Sequence, residues 1–201
     1  AACAAPIVFG FLLPAGILLR LAIVDVDARW GAHVLTLVAN STTAAGITAA
    51  LAVAIAVVMA YAARLSRSAL VAGANRVASL GYAIPGAVIA VGIMVPLGRL
   101  DNALAAWLQQ VSGADVGLLF TGTIAALVYA YLVRFLAVAL QTVEAGLGKV
   151  TPSMDDAARS LGLGPATTLR RVHAPLLSAS LLTAGLLVFV DVMKDLPATL
   201  V

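Results

Sequence analysis

The sequence predicts an all-α membrane protein, a polytopic bundle of transmembrane helices. Hydrophobic residues make up 63% of the 201 residues and charged residues only 10%, a composition far from that of soluble domains. The apolar residues form five stretches long enough to cross a hydrocarbon layer of about 30 Å. A polar segment, Ser153–Pro175, interrupts them. We therefore expect one membrane domain over residues 1–201, with a polar loop at residues 140–175.

The five predicted spans differ in their local signals. The second has Ala52, Ala56 and Ala60 at four-residue spacing, which predicts a face on which another helix packs closely. The third opens at Pro85-Gly86, where we expect a kink or a cavity-facing backbone. Residues 64–78, between these spans, are weakly amphipathic and predict an interfacial helix. The spans cover about residues 4–24, 41–63, 80–97, 117–139 and 175–190.

Several kinds of site are not expected in this sequence. The single cysteine, Cys3, excludes an internal disulfide and a cysteine-based metal site. His33 and His173 are predicted on opposite sides of the membrane, so they do not form one metal site. A glycine-rich phosphate-binding loop with a lysine is missing, so we expect neither ATP hydrolysis nor a bound cofactor. The first residue is not Met and the last lies in an apolar run, so we expect a fragment that lacks its final span.

The distribution of charge predicts the orientation. The linker after the second span and the polar segment are rich in cations, and Arg134 is expected to snorkel towards the same side. By the positive-inside rule, this side and the N-terminus face the cytoplasm. The cations are Arg64, Arg67, Arg76, Lys149, Arg159, Arg170 and Arg171, whereas Asp25, Asp27, Arg29, Asp101 and Asp115 are predicted on the periplasmic side.

The polar segment carries consistent signals for two short helices. Ser153 and Asp156 have the spacing of a capping box, and Gly162 stands where a left-handed residue ends a helix. A second helix is predicted to begin at Gly164-Pro165 and to end at Pro175. The first helix is thus expected to cover about 153–161.

The first helix also has a narrow apolar stripe with positions at i, i+3, i+4 and i+7. Asp155 and Arg159 lie beside the stripe at i, i+4, where we expect them to pair at the surface. Because the stripe contains small residues, a partner could approach it closely, and we interpret it as a docking element. The alternative is an amphipathic helix that lies on the membrane surface. The stripe consists of Met154, Ala157, Ala158 and Leu161.

The segment resembles the EAA loop of bacterial ABC-importer permeases, which reads E-A-A, three residues, G, nine residues and I-x-L-P. This sequence has Asp156-Ala157-Ala158, Gly162, Val172 and Ala174-Pro175 at the same spacing. Asp replaces Glu, Val replaces Ile and Ala replaces Leu. The resemblance implies a type I importer permease of the bacterial inner membrane, with the MetI-like fold and a coupling helix that docks on a cytosolic ATPase. The coupling residues implied are Met154, Asp156, Ala157, Ala158, Leu161, Gly162, Val172 and Pro175.

A second polar cluster lies one helix length beyond Pro175. Asp191, Lys194 and Asp195 share a helix face at membrane depth, where ionisable groups pair with one another or line a path for water and substrate. A substrate path and a self-neutralised structural trio are both open. The stretch from Phe189 to Thr199 resembles ferric-iron permeases, as do Gly81–Gly86, Tyr131–Ala137 and Arg170–His173.

The resemblance implies the permease subunit of an ATP-driven ferric-iron importer that works by alternating access, similar to the C-terminal half of fused iron permeases. Its implied partners are two cytosolic ATP-binding-cassette subunits, which use the ATP, a second permease half, a periplasmic binding protein and membrane lipid, without nucleic acid. Thiamine, polyamine, sulfate or another small solute are alternative substrates. An ion-coupled secondary transporter or an intramembrane enzyme is an alternative of another class, against which the spacing of the EAA-like segment argues.

Overall fold

The computed structural model describes residues 7–24, 30–66, 68–113, 117 and 119–195. Within these ranges the secondary structure is entirely helical, as the sequence predicts. Contacts divide the chain into two units, Ala1–Asn40 and Ser41–Val201, which are described separately. The helices are α1 (Leu13–Val24), α2 (Trp30–Leu65), α3 (Ala69–Ser79), α4 (Gly86–Ser112), α5 (Ile124–Leu147), α6 (Pro152–Ser160), α7 (Pro165–Thr168) and α8 (Ala174–Lys194).

Four helical segments among the described residues are long and apolar enough to cross a membrane. They confirm four of the predicted spans with shifted bounds, whereas the first predicted span is represented by a shorter apolar helix, Val8–Leu21. Local chemistry sets the new bounds: Thr123 caps α5 by accepting the Ala126 N–H, and Pro85 is extended immediately before α4. The spans are Leu35–Leu65, Gly86–Val111, Ile124–Leu147 and Pro165–Lys194.

The first unit contains a π-helical turn, Val8–Leu12, that continues into α1. Pro14 follows two residues after this turn. Proline has no backbone N–H and its ring clashes with the preceding turn of an α-helix, and a π turn widens the helix locally. The wider turn thus lets the helix continue through the proline.

The core of the second unit is built on the alanine face of α2. Ala52 and Ala56 are fully buried and Ala60 nearly so, which confirms the predicted close-packing face. Small side chains let neighbouring backbones approach, so van der Waals contact replaces the hydrophobic driving force that lipid does not supply. The larger buried side chains of this core come from α5 and α8, among them Tyr131, Leu140, Val143, Leu177 and Val188.

Within the segment predicted as an interfacial helix, residues 64 and 65 belong to α2 and the separate helix is α3, which Ser68 caps by accepting the Leu70 N–H. Its location at a membrane interface stays a prediction. The helix is held to α5 by a hydrogen bond of 2.9 Å from the Asn75 amide to Glu144 Oε1. A 3-10 turn, Gly81–Ala83, then leads to Pro85 and α4. The expected irregularity at Pro85-Gly86 is therefore a turn between two helices.

Two glycines allow this turn to lie directly on α5. A Cβ on Gly81 would overlap the carbonyl oxygen of Val133, and a Cβ on Gly86 would overlap the Arg134 guanidinium. The Val133 carbonyl belongs to a helical backbone and cannot move aside, so the Gly81 position admits no side chain.

We expect Gly81→Ala to destabilise the second unit by about 1–3 kcal/mol, because the added methyl group overpacks the contact with α5. The thermal unfolding of the purified protein in detergent measures this. Gly92→Ala on α4 is the matched control, since a Cβ there meets nothing within 4 Å and alanine favours a helix. Equal midpoints for the two variants would contradict the close approach at Gly81.

Candidate coupling site

The loop between the last two spans is shorter than the predicted loop at residues 140–175. Residues 140–147 belong to α5 and Ala174-Pro175 belongs to α8, so the connection between the membrane helices is residues 148–164. It contains α6, whose first residue is Pro152 and whose N-cap is Thr151. The boundaries of 140–175 therefore extend into both neighbouring spans.

The predicted capping box at Ser153 is wrong. Thr151 is the N-cap and makes no side-chain capping hydrogen bond, while its hydroxyl lies 2.8 Å from the Ser153 hydroxyl. The helix begins one residue earlier because Pro152 fits its first position, where the missing N–H would have no helical partner and φ is already suitable.

The predicted end of this helix at Gly162 is confirmed. Gly162 has φ of +76°, and its N–H donates to the Arg159 carbonyl while the Leu163 N–H donates to the Ala158 carbonyl. These two bonds form a Schellman motif, which satisfies carbonyls that the helix leaves free.

The second short helix begins as predicted but does not end at Pro175. Gly164 is the N-cap of α7 and Pro165 is its first residue. The helix then passes through a π turn, Leu169–His173, directly into α8. As at Pro14, the π turn lies just before the proline, so the widened turn accommodates Pro175.

The apolar stripe is divided between two surfaces. Met154 and Leu161 are 41% and 79% exposed, and Ala157 is also exposed. Ala158 is only 4% exposed, so it packs against its own chain and is not available to a partner. The exposed face of α6 is therefore Met154, Ala157 and Leu161.

The predicted surface pair of Asp155 and Arg159 is wrong. Arg159 lies 3.3 Å from Asp156, and both side chains are largely exposed. Asp155 points into the protein, where it pairs with Arg64 at the end of α2 at 2.8 Å. The helical spacing permitted the surface pair, but a carboxylate is satisfied better by a buried guanidinium that offers two donors.

Arg64 binds three elements at once. Its Nε and Nη2 both donate to Asp155 Oδ2, at 2.9 and 2.8 Å. Nη1 donates to the Leu147 carbonyl and Nη2 to the Val150 carbonyl, each at 2.9 Å. The guanidinium thus binds the last carbonyl of α5 and a carbonyl of the connection that follows, while it holds the first turn of α6.

His173 and Tyr61 complete this network. His173 is fully buried, and its Nε2 lies 2.8 Å from Asp155 Oδ1, without the alignment of a hydrogen bond. The Tyr61 hydroxyl donates to the Pro165 carbonyl at 2.9 Å, and its ring meets the His173 ring edge-on at 5.5 Å. The prediction of His173 as a polar contact within the segment is confirmed. A cleft of about 280 Å³ opens beside these groups, between Arg64, Leu163 and Thr168.

The second polar cluster is arranged differently from the prediction. Asp191 and Lys194 pair at 2.6 Å along α8. Asp195 instead pairs with Arg134 on α5, whose Nη1 lies 2.8 and 3.0 Å from the two carboxylate oxygens. The Tyr131 hydroxyl donates to the Asp195 backbone carbonyl at 3.3 Å.

The expectation that Arg134 snorkels towards the side of the polar segment is therefore wrong. Arg134 lies near the middle of α5. Asp195 directly follows the C-terminal end of α8, whereas α6 and α7 precede the N-terminal end of that helix. The Asp195 side chain is only 6% exposed. Because an unpaired carboxylate is costly in the apolar interior, Arg134 pairs with Asp195 instead of extending to water.

Asp101 has a structural role in the second unit. It is fully buried and accepts backbone N–H groups from Leu119, Phe120 and Thr121. It therefore orders the connection before α5. The predictions for Asp25, Asp27, Arg29, Arg67, Asp115 and residues 196–201 lie outside the described residues.

Comparison with known proteins agrees with this arrangement. A family model described as the inner-membrane component of binding-protein-dependent transport systems matches residues 52–201. The chain belongs to this family. It is also 29% identical over 161 residues to the Fe(3+)-transport system permease protein FbpB 2 of Haemophilus influenzae. That alignment covers 80% of this chain and 29% of the relative, so the chain spans less than a third of the relative's length.

The family membership confirms the resemblance that the EAA-like spacing indicated. The family and the apolar helices support a multi-pass membrane protein, and the matched residues contain α3 to α8 and the alanine face of α2.

Sequence reasoning missed three residues of this transport component. Arg64 was counted only as a loop cation, Tyr61 was not singled out, and Arg134 was assigned to the wrong side. A signal was present for the two arginines, because a cation inside or at the end of an apolar helix requires a partner. The sequence did not indicate which of nine acidic residues that partner is.

We expect Gly162→Ala to destabilise the end of α6 by about 1–2 kcal/mol, because an L side chain disfavours the left-handed backbone conformation. Hydrogen exchange of the peptide that contains Gly162 and Leu163 should become roughly five- to thirtyfold faster. Gly164→Ala is the control, since Gly164 has φ of −74°. Unchanged exchange in Gly162→Ala would show that the Schellman motif does not require glycine.

Proposed function

We propose that this chain is the transmembrane subunit, or part of it, of an ATP-driven ABC importer for ferric iron. Cytosolic ATPase subunits dock on α6, and their closure drives alternating access in the spans. The proposal rests on the exposed residues Met154, Ala157 and Leu161. They lie at the end of the bundle, on or next to α6, and Asp155 binds this helix to Arg64 of α2. A helix lying passively on the membrane has no need of such an anchor.

The charge of this end supports a cytosolic orientation. Lys149, Arg159, Arg170 and Arg171 are exposed around α6 and α7, and an excess of Lys and Arg in loops retains them in the cytoplasm. The EAA-like segment therefore faces the ATPase subunits. ATP is bound and hydrolysed by those subunits, and this chain supplies no cofactor.

The assembly in this proposal has further components. One EAA-like segment provides one docking site, so two ATPase subunits need a second permease half. A periplasmic binding protein delivers the substrate at the opposite end, in keeping with the binding-protein-dependent family. Ferric iron is proposed as the substrate because the curated relative is named a Fe(3+)-transport permease.

The second polar cluster is assigned two roles. Asp195 and Arg134 are mutually neutralised and half-buried or buried, so we assign them to helix packing. Asp191 is buried and pairs with Lys194, whose side chain is 67% exposed, and these two remain candidates for the substrate path. Together the four groups carry no net charge, so the substrate meets a polar surface rather than an acidic site.

The proposed coupling role is tested with the permease reconstituted in lipid with its ATPase and binding protein. Leu161→Gln should weaken ATPase association about ten- to a hundredfold, because a leucine buried on docking contributes about 1.5–3 kcal/mol. Val111→Gln is the control, since Val111 is similarly exposed at the end of α4.

Iron specificity is measured in the same preparation. Ferric-loaded binding protein should stimulate ATP hydrolysis in the unmodified complex, and stimulation only by a thiamine-, polyamine- or sulfate-loaded protein would replace iron by that substrate.

Normal ATPase association and transport in Leu161→Gln would remove the docking role of α6. Transport without any ATPase would favour a secondary transporter.

For the second cluster, Asp195→Asn should reduce the amount of protein in the membrane. The variant leaves the partly buried charge of Arg134 without its carboxylate, which costs about 3–5 kcal/mol for a buried pair. The double variant Arg134→Gln with Asp195→Asn should restore both abundance and substrate uptake. If abundance returns without uptake, the pair belongs to the substrate path and our assignment is wrong.

A further inference from the structure

We propose that Arg64 is a positioning residue for transport. It joins α6 to the ends of α2 and α5, so that a displacement of α6 moves both spans together. The inference rests on the proposed function, since it assumes that an ATPase moves α6. It assigns a role to a residue outside the EAA-like segment.

The hydrogen bonds of Arg64 connect parts of the chain that are far apart in sequence. Its guanidinium reaches Asp155 across 91 residues and the Leu147 carbonyl across 83. The side chain is only 18% exposed, so solvent competes little for these donors. Charge-assisted hydrogen bonds of this kind are the stronger ones in proteins.

The carboxylate of Asp155 extends the connection to a third span. One oxygen binds Arg64 from α2, and the other lies 2.8 Å from His173. His173 belongs to the π turn that continues into α8. The first turn of α6 is therefore held between α2 and the start of α8.

Tyr61 binds the chain that follows α6. It lies about one turn before Arg64 on α2, and it donates to the carbonyl of Pro165, the first residue of α7. The same face of α2 thus contacts the chain before and after α6. A rotation of α6 itself would strain the contact between Asp155 and Arg64.

The backbone around α6 transmits movement poorly by itself. Gly148 stands before the helix, and Gly162 and Gly164 follow it. Glycine has the greatest backbone freedom of any residue, so these positions act as joints. A push on α6 would be absorbed there if side chains did not fix the helix to the spans.

Lysine is not expected to replace Arg64. The guanidinium carries several donors in a fixed planar arrangement and serves a carboxylate and two carbonyls together, whereas an ammonium group is a compact point charge. Arg64→Lys should keep the attraction to Asp155 and lose part of the attachment to α5.

The test measures substrate transported per ATP hydrolysed in the reconstituted complex. Arg64→Gln should retain ATPase association, because the exposed face of α6 is unchanged, while transport per ATP falls about fivefold or more. Arg64→Lys should fall between this variant and the unmodified protein. Arg76→Gln is the control, since Arg76 is an exposed cation on the neighbouring helix α3 and should leave the ratio unchanged.

A second variant separates positioning from simple loss of stability. Asp155→Asn combined with Arg64→Gln should lower the ratio no further than Arg64→Gln alone, because both changes interrupt one network. A ratio equal to that of the unmodified protein in Arg64→Gln would overturn the inference. If Arg64→Gln does not reach the membrane, Arg64→Lys decides: a lowered ratio supports the role and an unchanged ratio overturns it. Failure of the unmodified protein to bind an ATPase would refute the proposed function instead.

Discussion

The ionic contact between Arg64 and Asp155 is the interaction on which the position of α6 depends. A guanidinium at the end of an apolar span needs acceptors, and here it takes them from a carboxylate, the Leu147 carbonyl at the end of α5 and the Val150 carbonyl beyond that end. Because Asp155 turns inward to meet it, Ala158 one turn later is also buried. Met154 and Leu161 occupy neighbouring positions of the same apolar stripe and stay exposed.

The same constraint operates at the second cluster, with a different result. Arg134 and Asp195 lie within the bundle, where an unpaired charge is costly, and they neutralise each other. The glycine at position 86 leaves the space that the guanidinium occupies. The pair therefore depends on a backbone without a side chain as much as on opposite charges.

Two prolines follow a local change in helix winding. In the described part of the chain, a π turn ends two residues before Pro14 and another two residues before Pro175, whereas Pro96 lies inside α4 without one. The second π turn also carries His173, which contacts Asp155. A feature that lets α8 continue through a proline thus also presents the histidine to the coupling network.

The sequence alone determined the features that follow from neighbours along the chain. The alanine spacing on α2, the left-handed Gly162 and the start of α7 at Pro165 depend on helix periodicity and local backbone preference, and the structure confirms them. The tertiary structure decided the partners of Asp155 and Arg134 and the burial of Ala158. These depend on which helices lie side by side, since the paired charges are 91 and 61 residues apart. The spacing along a helix is compatible with several ion pairs for each acidic residue. Only the packing of the helices determines which cation forms the buried pair.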